Sequence, residues 1–243
     1  MAETMSDLRG TDIPYSDGRL DCLGYQAEAS ADAPWVVVVH EWSGLNHGTK
    51  AACDRLAGLG FNAFALDVFG AGTRGDETGD NSHLIGPLLG DRTELLRRLT
   101  GGFEAVKRLP GVPEGGLGAM GFCFGGLSVL DMARAALPGL RAVISIHGIL
   151  AAPPTPTGPI AASVLALHGW EDPFADTDAV KAFAEEMTTA GADWQLHAYG
   201  HAKHAFSFPR ANKPEMGILY EPRAAARTWR TIPAFFDETL RGG

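Results

Sequence analysis

The sequence predicts an α/β protein built on a mostly parallel central sheet with helices on both faces. Short unbroken apolar runs, the form taken by strands covered on both sides, alternate with longer amphipathic stretches. Thirty-one glycines and 15 prolines punctuate that alternation with tight turns. Strands are expected at residues 35–40, 62–67, 117–122, 142–147, 164–168 and 194–199. A helix is expected over 91–109, where Leu95, Leu99, Phe103 and Val106 share a face behind an Asp91/Glu94 capping box, although Gly101 and Gly102 weaken it. A second is expected over 178–190, with Val180, Phe183, Ala184 and Met187 on one face behind an Asp176 cap. The proline-rich stretch 152–159 reads as a loop, and the glycine-rich, charged stretch 70–90 as an excursion beside a site.

Composition narrows the function. The 243 residues carry 29 acidic and 20 basic side chains, a formal charge of −9, with no basic stripe, so a nucleic-acid partner is not expected. The longest apolar run, 35–39, is far short of a bilayer span, and residues 1–12 have no hydrophobic stretch that would make a signal peptide. The expectation is therefore a cytoplasmic protein with no membrane partner: a tail over 1–12, then a single domain over 13–241. Cys22, Cys53 and Cys123 are odd in number and lack metal-like pairing, which suggests free thiols in a reducing compartment. Oligomeric state is not readable.

One of those thiols sits in a chemical setting. Gly121-Phe122-Cys123-Phe124-Gly125-Gly126 ends a strand and opens a helix, the context of a nucleophile elbow. Flanking glycines let neighbouring backbone approach a sharply turned residue, and the helix N-terminus favours thiolate over thiol. His168-Gly169-Trp170-Glu171-Asp172 follows a later strand, and Gly200-His201-Ala202-Lys203-His204-Ala205-Phe206 follows the last. Nucleophile, acid and histidine thus run in the chain order of α/β-hydrolase triads, which assigns Cys123, Asp172 and His204 to catalysis.

These segments resemble the dienelactone hydrolase (carboxymethylenebutenolidase) family over most of 13–240. The cysteine elbow is similar to that family's, and His40-Glu41-Trp42-Ser43-Gly44-Leu45-Asn46 is similar to its glutamate-bearing loop, a specific feature because few other hydrolases put Glu there. The resemblance implies an α/β-hydrolase fold, a Cys123-His204-Asp172 triad, an oxyanion hole from the N–H groups of Phe124 and Trp42, and Glu41 as a gate on the thiol. It implies no metal and no organic cofactor. The expected activity is hydrolysis of a small-molecule ester or lactone through a thioester acyl-enzyme.

One departure bears on the substrate. The family holds a substrate carboxylate with arginines, one of them four positions beyond the catalytic histidine, and that position here is Phe208. Arg74, Lys203 and Arg210 are the basic residues near enough in sequence to substitute. Trp42, Phe124, Trp170 and Phe208 suggest an apolar pocket instead, with His147 as a further lining or hydrogen-bonding residue. Three other readings compete. A dinucleotide fingerprint over 116–121 lacks the preceding strand it needs. His197, His201 and His204 have the spacing of a metal site, but with the first on a strand and the others in a loop their nitrogens need not converge. The third is a catalytically silent hydrolase-fold protein that binds or senses small electrophiles through Cys123.

Overall fold

The computed structural model describes residues 8–155 and 157–242. Residues 1–7 of the expected tail lie outside them. The chain forms two compact units, one ending at Glu114 and one beginning at Gly115.

The first unit opens with an antiparallel pair, β1 (Thr11–Ser16) and β2 (Asp21–Ala27). β3 (Trp35–Val39), α1 (His47–Gly58) and β4 (Asn62–Leu66) follow, then α2 (Ser82–Gly90) and α3 (Arg92–Lys107). The strands lie in the order β1-β2-β4-β3, with β3 and β4 parallel. Every residue of β3 and β4 is buried, as their unbroken apolar runs require. Each run's closing polar residue, His40 or Asp67, falls one position past the strand. α2 occupies the second half of the expected 70–90 excursion. Gly86, Gly90 and an internal Pro87 hide it from a propensity reading.

The helix expected over 91–109 is α3, and its face of Leu95, Leu99, Phe103 and Val106 is buried. Only half the capping box forms. Asp91 accepts from the Glu94 N–H at 3.0 Å, but the Glu94 carboxylate turns to Arg97 and Arg98, at 2.7 and 2.8 Å. The two glycines are explained by contact: a Cβ on Gly101 would stand 2.1 Å from the Asp17 carbonyl oxygen.

The second unit holds β5 (Leu117–Phe122), α4 (Phe124–Arg134), β6 (Leu140–Ile146), β7 (Ser163–Gly169), α5 (Thr177–Thr189) and β8 (Trp194–Tyr199). A two-residue hairpin, β9 (Asn212–Lys213) and β10 (Ile218–Leu219), precedes α6 (Pro222–Phe236). The four long strands lie in the order β5-β6-β7-β8 and all pair in parallel. α5 is capped by Asp176, which accepts from the Ala179 N–H at 2.9 Å, and it buries Phe183 and Met187. β8 is only partly buried because it ends the strand order. Arg134 on α4 is a buried staple, donating to Glu186 of α5 at 2.7 and 2.9 Å and to the Leu150 carbonyl at 2.8 Å. No helix among the described residues is long and apolar enough to cross a membrane.

Candidate active site

The elbow is a backbone fact. Between β5 and α4, Cys123 takes φ 53 and ψ −114, a region that costs a non-glycine residue energy and persists only where its surroundings enforce it. The enforcing contacts are main-chain. The Cys123 N–H donates to Ile146 at 3.0 Å, and its carbonyl accepts from Leu127 at 3.1 Å. The flanking glycines are steric requirements, since a Cβ on Gly121 would lie 2.1 Å from the Gly125 carbonyl oxygen and one on Gly126 2.7 Å from the Gly148 Cα. The sulfur stays partly exposed at the head of a helix whose own residues are all buried.

His204 bridges the other two predicted catalytic groups. Its Nε2 lies 3.1 Å from Cys123 Sγ and its Nδ1 2.8 Å from Asp172 Oδ2. The remaining Asp172 oxygen accepts from the Phe174 N–H at 2.8 Å, so the carboxylate cannot swing away without breaking a second bond. The histidine loop is held independently: the His204 N–H donates to Gly217 at 2.9 Å, its carbonyl accepts from Leu219 at 3.1 Å, and the acid loop joins it through Glu171 N–H to Ala202 at 2.9 Å. His204 and Asp172 are both buried. Burial opposes charge on His204, but Cys123 beside Nε2 and Asp172 at Nδ1 outweigh it and lift its pKa to about 10. The arrangement favours the protonated form of His204.

The other residues singled out from sequence are placed as follows. His147 is buried edge-on to His204, and Phe208 packs against Phe122 and His147 at 5.4 and 5.2 Å. Trp170 is half exposed just beyond β7, and Lys203 is half-buried beside His204. Phe124 is the first residue of α4. In the first unit, Trp42 is half-buried, and the Glu41 carboxylate is held within its own loop by the Ser43 N–H at 2.9 Å, the Ser43 hydroxyl and Asn46 Nδ2 at 2.6 Å. Burial pushes the Glu41 proton affinity up against those donors. The Arg74 guanidinium is engaged by Asp67, at 3.2 and 3.5 Å, and by the Thr73 carbonyl at 2.6 Å.

Phe174 is the functional neighbour that sequence reasoning missed. Its ring, 47% exposed, stands 4.8 Å from the His204 ring at 70° and walls that side of the imidazole. An aromatic two residues past the acid was the available signal. The competing motifs dissolve on placement. Gly118 and Gly121 of the G-x-G-x-x-G match lie inside β5 instead of on a strand-to-helix turn. His201 pairs with Glu171 at 3.1 Å, and no group of three or more His, Cys, Asp or Glu among the described residues is arranged to hold a metal ion.

Comparison with known proteins identifies the family. The model of the dienelactone hydrolase family matches residues 22–240, running through both units. An uncharacterized Caenorhabditis elegans protein is 37% identical over 62% of this chain and 98% of its own length. A putative carboxymethylenebutenolidase of a Synechocystis species is 29% identical over 97% of this chain and 99% of its own. The crystal structure of a dienelactone hydrolase-like promiscuous phosphotriesterase from metagenomic libraries shares 33% identity and a TM-score of 0.88, covering 95% of this chain and 98% of that one. The mostly parallel sheet that the strand and helix alternation predicts is thus that of the α/β-hydrolase fold implied by the resemblance, and the chain belongs to the dienelactone hydrolase family, a family of ester and lactone hydrolases.

Proposed function

We propose that this protein hydrolyses carboxylic esters or lactones through a thioester on Cys123, with residues 13–241 acting as one hydrolase domain. The observation that carries the reading is the His204 ring, bonded through one nitrogen to Cys123 Sγ and through the other to Asp172. The thiol proton rests on His204, and the thiolate attacks the carbonyl carbon. The carbonyl electrons move onto oxygen, where the Phe124 N–H at the positive end of α4 stabilises the charge. The resemblance adds the Trp42 N–H as a second donor, and one such donor is worth about 3 kcal/mol of barrier. Collapse expels the alkoxide, which takes the proton from Nε2 and leaves the acyl group on sulfur. Neutral His204, its Nδ1–H held by Asp172, then removes a proton from water as that water attacks the thioester. The second collapse releases the acid and restores thiolate and imidazolium, while Asp172 stays ionised throughout.

Phe208 at the position expected for arginine, and Arg74 committed to Asp67, favour aryl or alkyl esters over a substrate bearing a second carboxylate. Trp170 and Lys203 are the further substrate-side residues of this reading. Glu41 enters as a gate on the thiol through the family resemblance. The three unpaired cysteines suit the cytoplasmic address read from sequence.

The test is a panel of aryl esters, alkyl esters and lactones, with an aryl dialkyl phosphate added because one relative is a promiscuous phosphotriesterase. It is run on wild type and Cys123→Ala, with intact mass followed during turnover. Ester hydrolysis should fall at least about 1,000-fold in the variant, and wild type should carry a transient acyl mass. Equal rates in both proteins overturn the nucleophile, and a single stable modification without turnover replaces hydrolysis with electrophile binding. Glu41→Gln should change the rate at which substrate-free Cys123 is alkylated, and an unchanged rate removes the gate.

A further inference from the structure

One buried polar side chain beside the triad has no part in the chemistry above. His147 directly follows β6, is fully buried and takes φ 39, a left-handed conformation that a non-glycine residue holds only under constraint. Its N–H donates to Leu167 on β7 at 2.8 Å. Its ring lies edge-on to His204, with centroids 5.3 Å apart and planes at 67°, and edge-on to Phe206 and Phe208 at 5.1 and 5.2 Å. Nε2 is 2.7 Å from Ser207 Oγ, and Nδ1 is buried with no hydrogen-bond partner.

Packing alone does not explain a histidine in this cage. Phenylalanine would fill the same space among Phe122, Phe206 and Phe208 without burying an unpaired nitrogen, a costly feature that native structures retain for a reason. We propose that His147 is a positioning residue: oriented by Ser207, its ring holds the His204 imidazole in the plane from which Nε2 reaches Cys123 while Nδ1 stays on Asp172. The inference deepens the triad reading above and rests on it. His147 does not compete for the proton, because burial and then the charge of His204 push its own proton affinity well below that of a free imidazole. The neutral ring, fixed by Ser207, acts on the His204 imidazole by contact.

The test compares His147→Phe, Ser207→Ala and the double variant H147F/S207A with wild type and His204→Ala. Readouts are kcat and KM on an aryl ester, Tm, and the rate of Cys123 alkylation by iodoacetamide from neutral to alkaline pH. The double variant removes both partners of one hydrogen bond and keeps the cage filled, so Tm should hold or rise. Its kcat should nonetheless fall about 5- to 50-fold with KM nearly unchanged, the signature of a misplaced reacting group. The alkaline limb of alkylation, set by His204 among Cys123, Asp172, His147 and His168, should move to lower pH. Ser207→Ala should shift kcat and the limb the same way by less, and it carries the test should the larger change disturb folding. A folded double variant with wild-type kcat and an unmoved limb overturns the proposal. If His204→Ala keeps turnover and alkylation rate, the triad itself falls and the role of His147 with it.

Discussion

Asp172→Asn is the sharpest probe of the triad, because the structure dictates which way the new amide must face. One Asp172 oxygen accepts from the Phe174 N–H at 2.8 Å, and only an oxygen can remain there. The amide NH2 therefore turns to the position of Oδ2, 2.8 Å from His204 Nδ1, and donates to that nitrogen. Nδ1 becomes an acceptor, the ring proton moves to Nε2, and the imidazole presents a hydrogen to Cys123 where a base is needed. The variant keeps both hydrogen bonds and the shape of the site, so its Tm should stay near that of wild type. Its kcat should fall about 1,000- to 10,000-fold, the scale of a tautomer fault in a hydrolytic triad. Stopped-flow hydrolysis of an aryl ester at neutral pH, with iodoacetamide alkylation of Cys123 in parallel, reads both losses. Asp172→Asn working within tenfold of wild type would refute the orienting role of the carboxylate.

Two further outcomes follow from the same geometry. His204 gains proton affinity on folding, so the stability it contributes is complete below the free imidazole pKa of 6.5 and is lost as pH climbs through about 10. Urea unfolding should show wild type losing more stability than Cys123→Ala over that interval, by at least about 1.4 kcal/mol, and equal losses count against the ion pair. Arg134→Ala should cost about 3–5 kcal/mol because it removes the buried guanidinium that bridges Asp131 and Glu186, at 3.3 and 2.7 Å, and that also donates to the Leu150 carbonyl. Kinetics measured below its melting transition should be unaltered, and a loss under about 1 kcal/mol removes the staple from the account.

Features with a local cause were readable from sequence. Short apolar runs, most of them unbroken, located β3 to β8, and Asp176 and Asp91 marked helix starts because a capping side chain lies three residues from the N–H it serves. Cys123, Asp172 and His204 were found because loop position beyond a strand is itself a local pattern. Features decided by distant contacts were not readable. Glu94 abandoned its half of the capping box for Arg97 and Arg98, and Gly101 is required in its helix by the close approach of the Asp17 backbone on a remote turn. α2 was hidden by its own Pro87. Phe174 meets His204 across 30 residues of chain, and no periodicity records such a meeting. The same holds for Ser207 and His147, whose pairing spans 60.

The main-chain clips that tie His204 to Gly217 and Leu219 also close the intervening stretch at its neck. Immediately before that neck, Pro214–Met216 forms a short turn whose Met216 is 49% exposed and which leads straight into Gly217. A backbone change in this turn therefore reaches the bond that seats the proton carrier. Drift at this exposed turn is thereby confined to its side chains, because its main chain is committed to anchoring the imidazole loop.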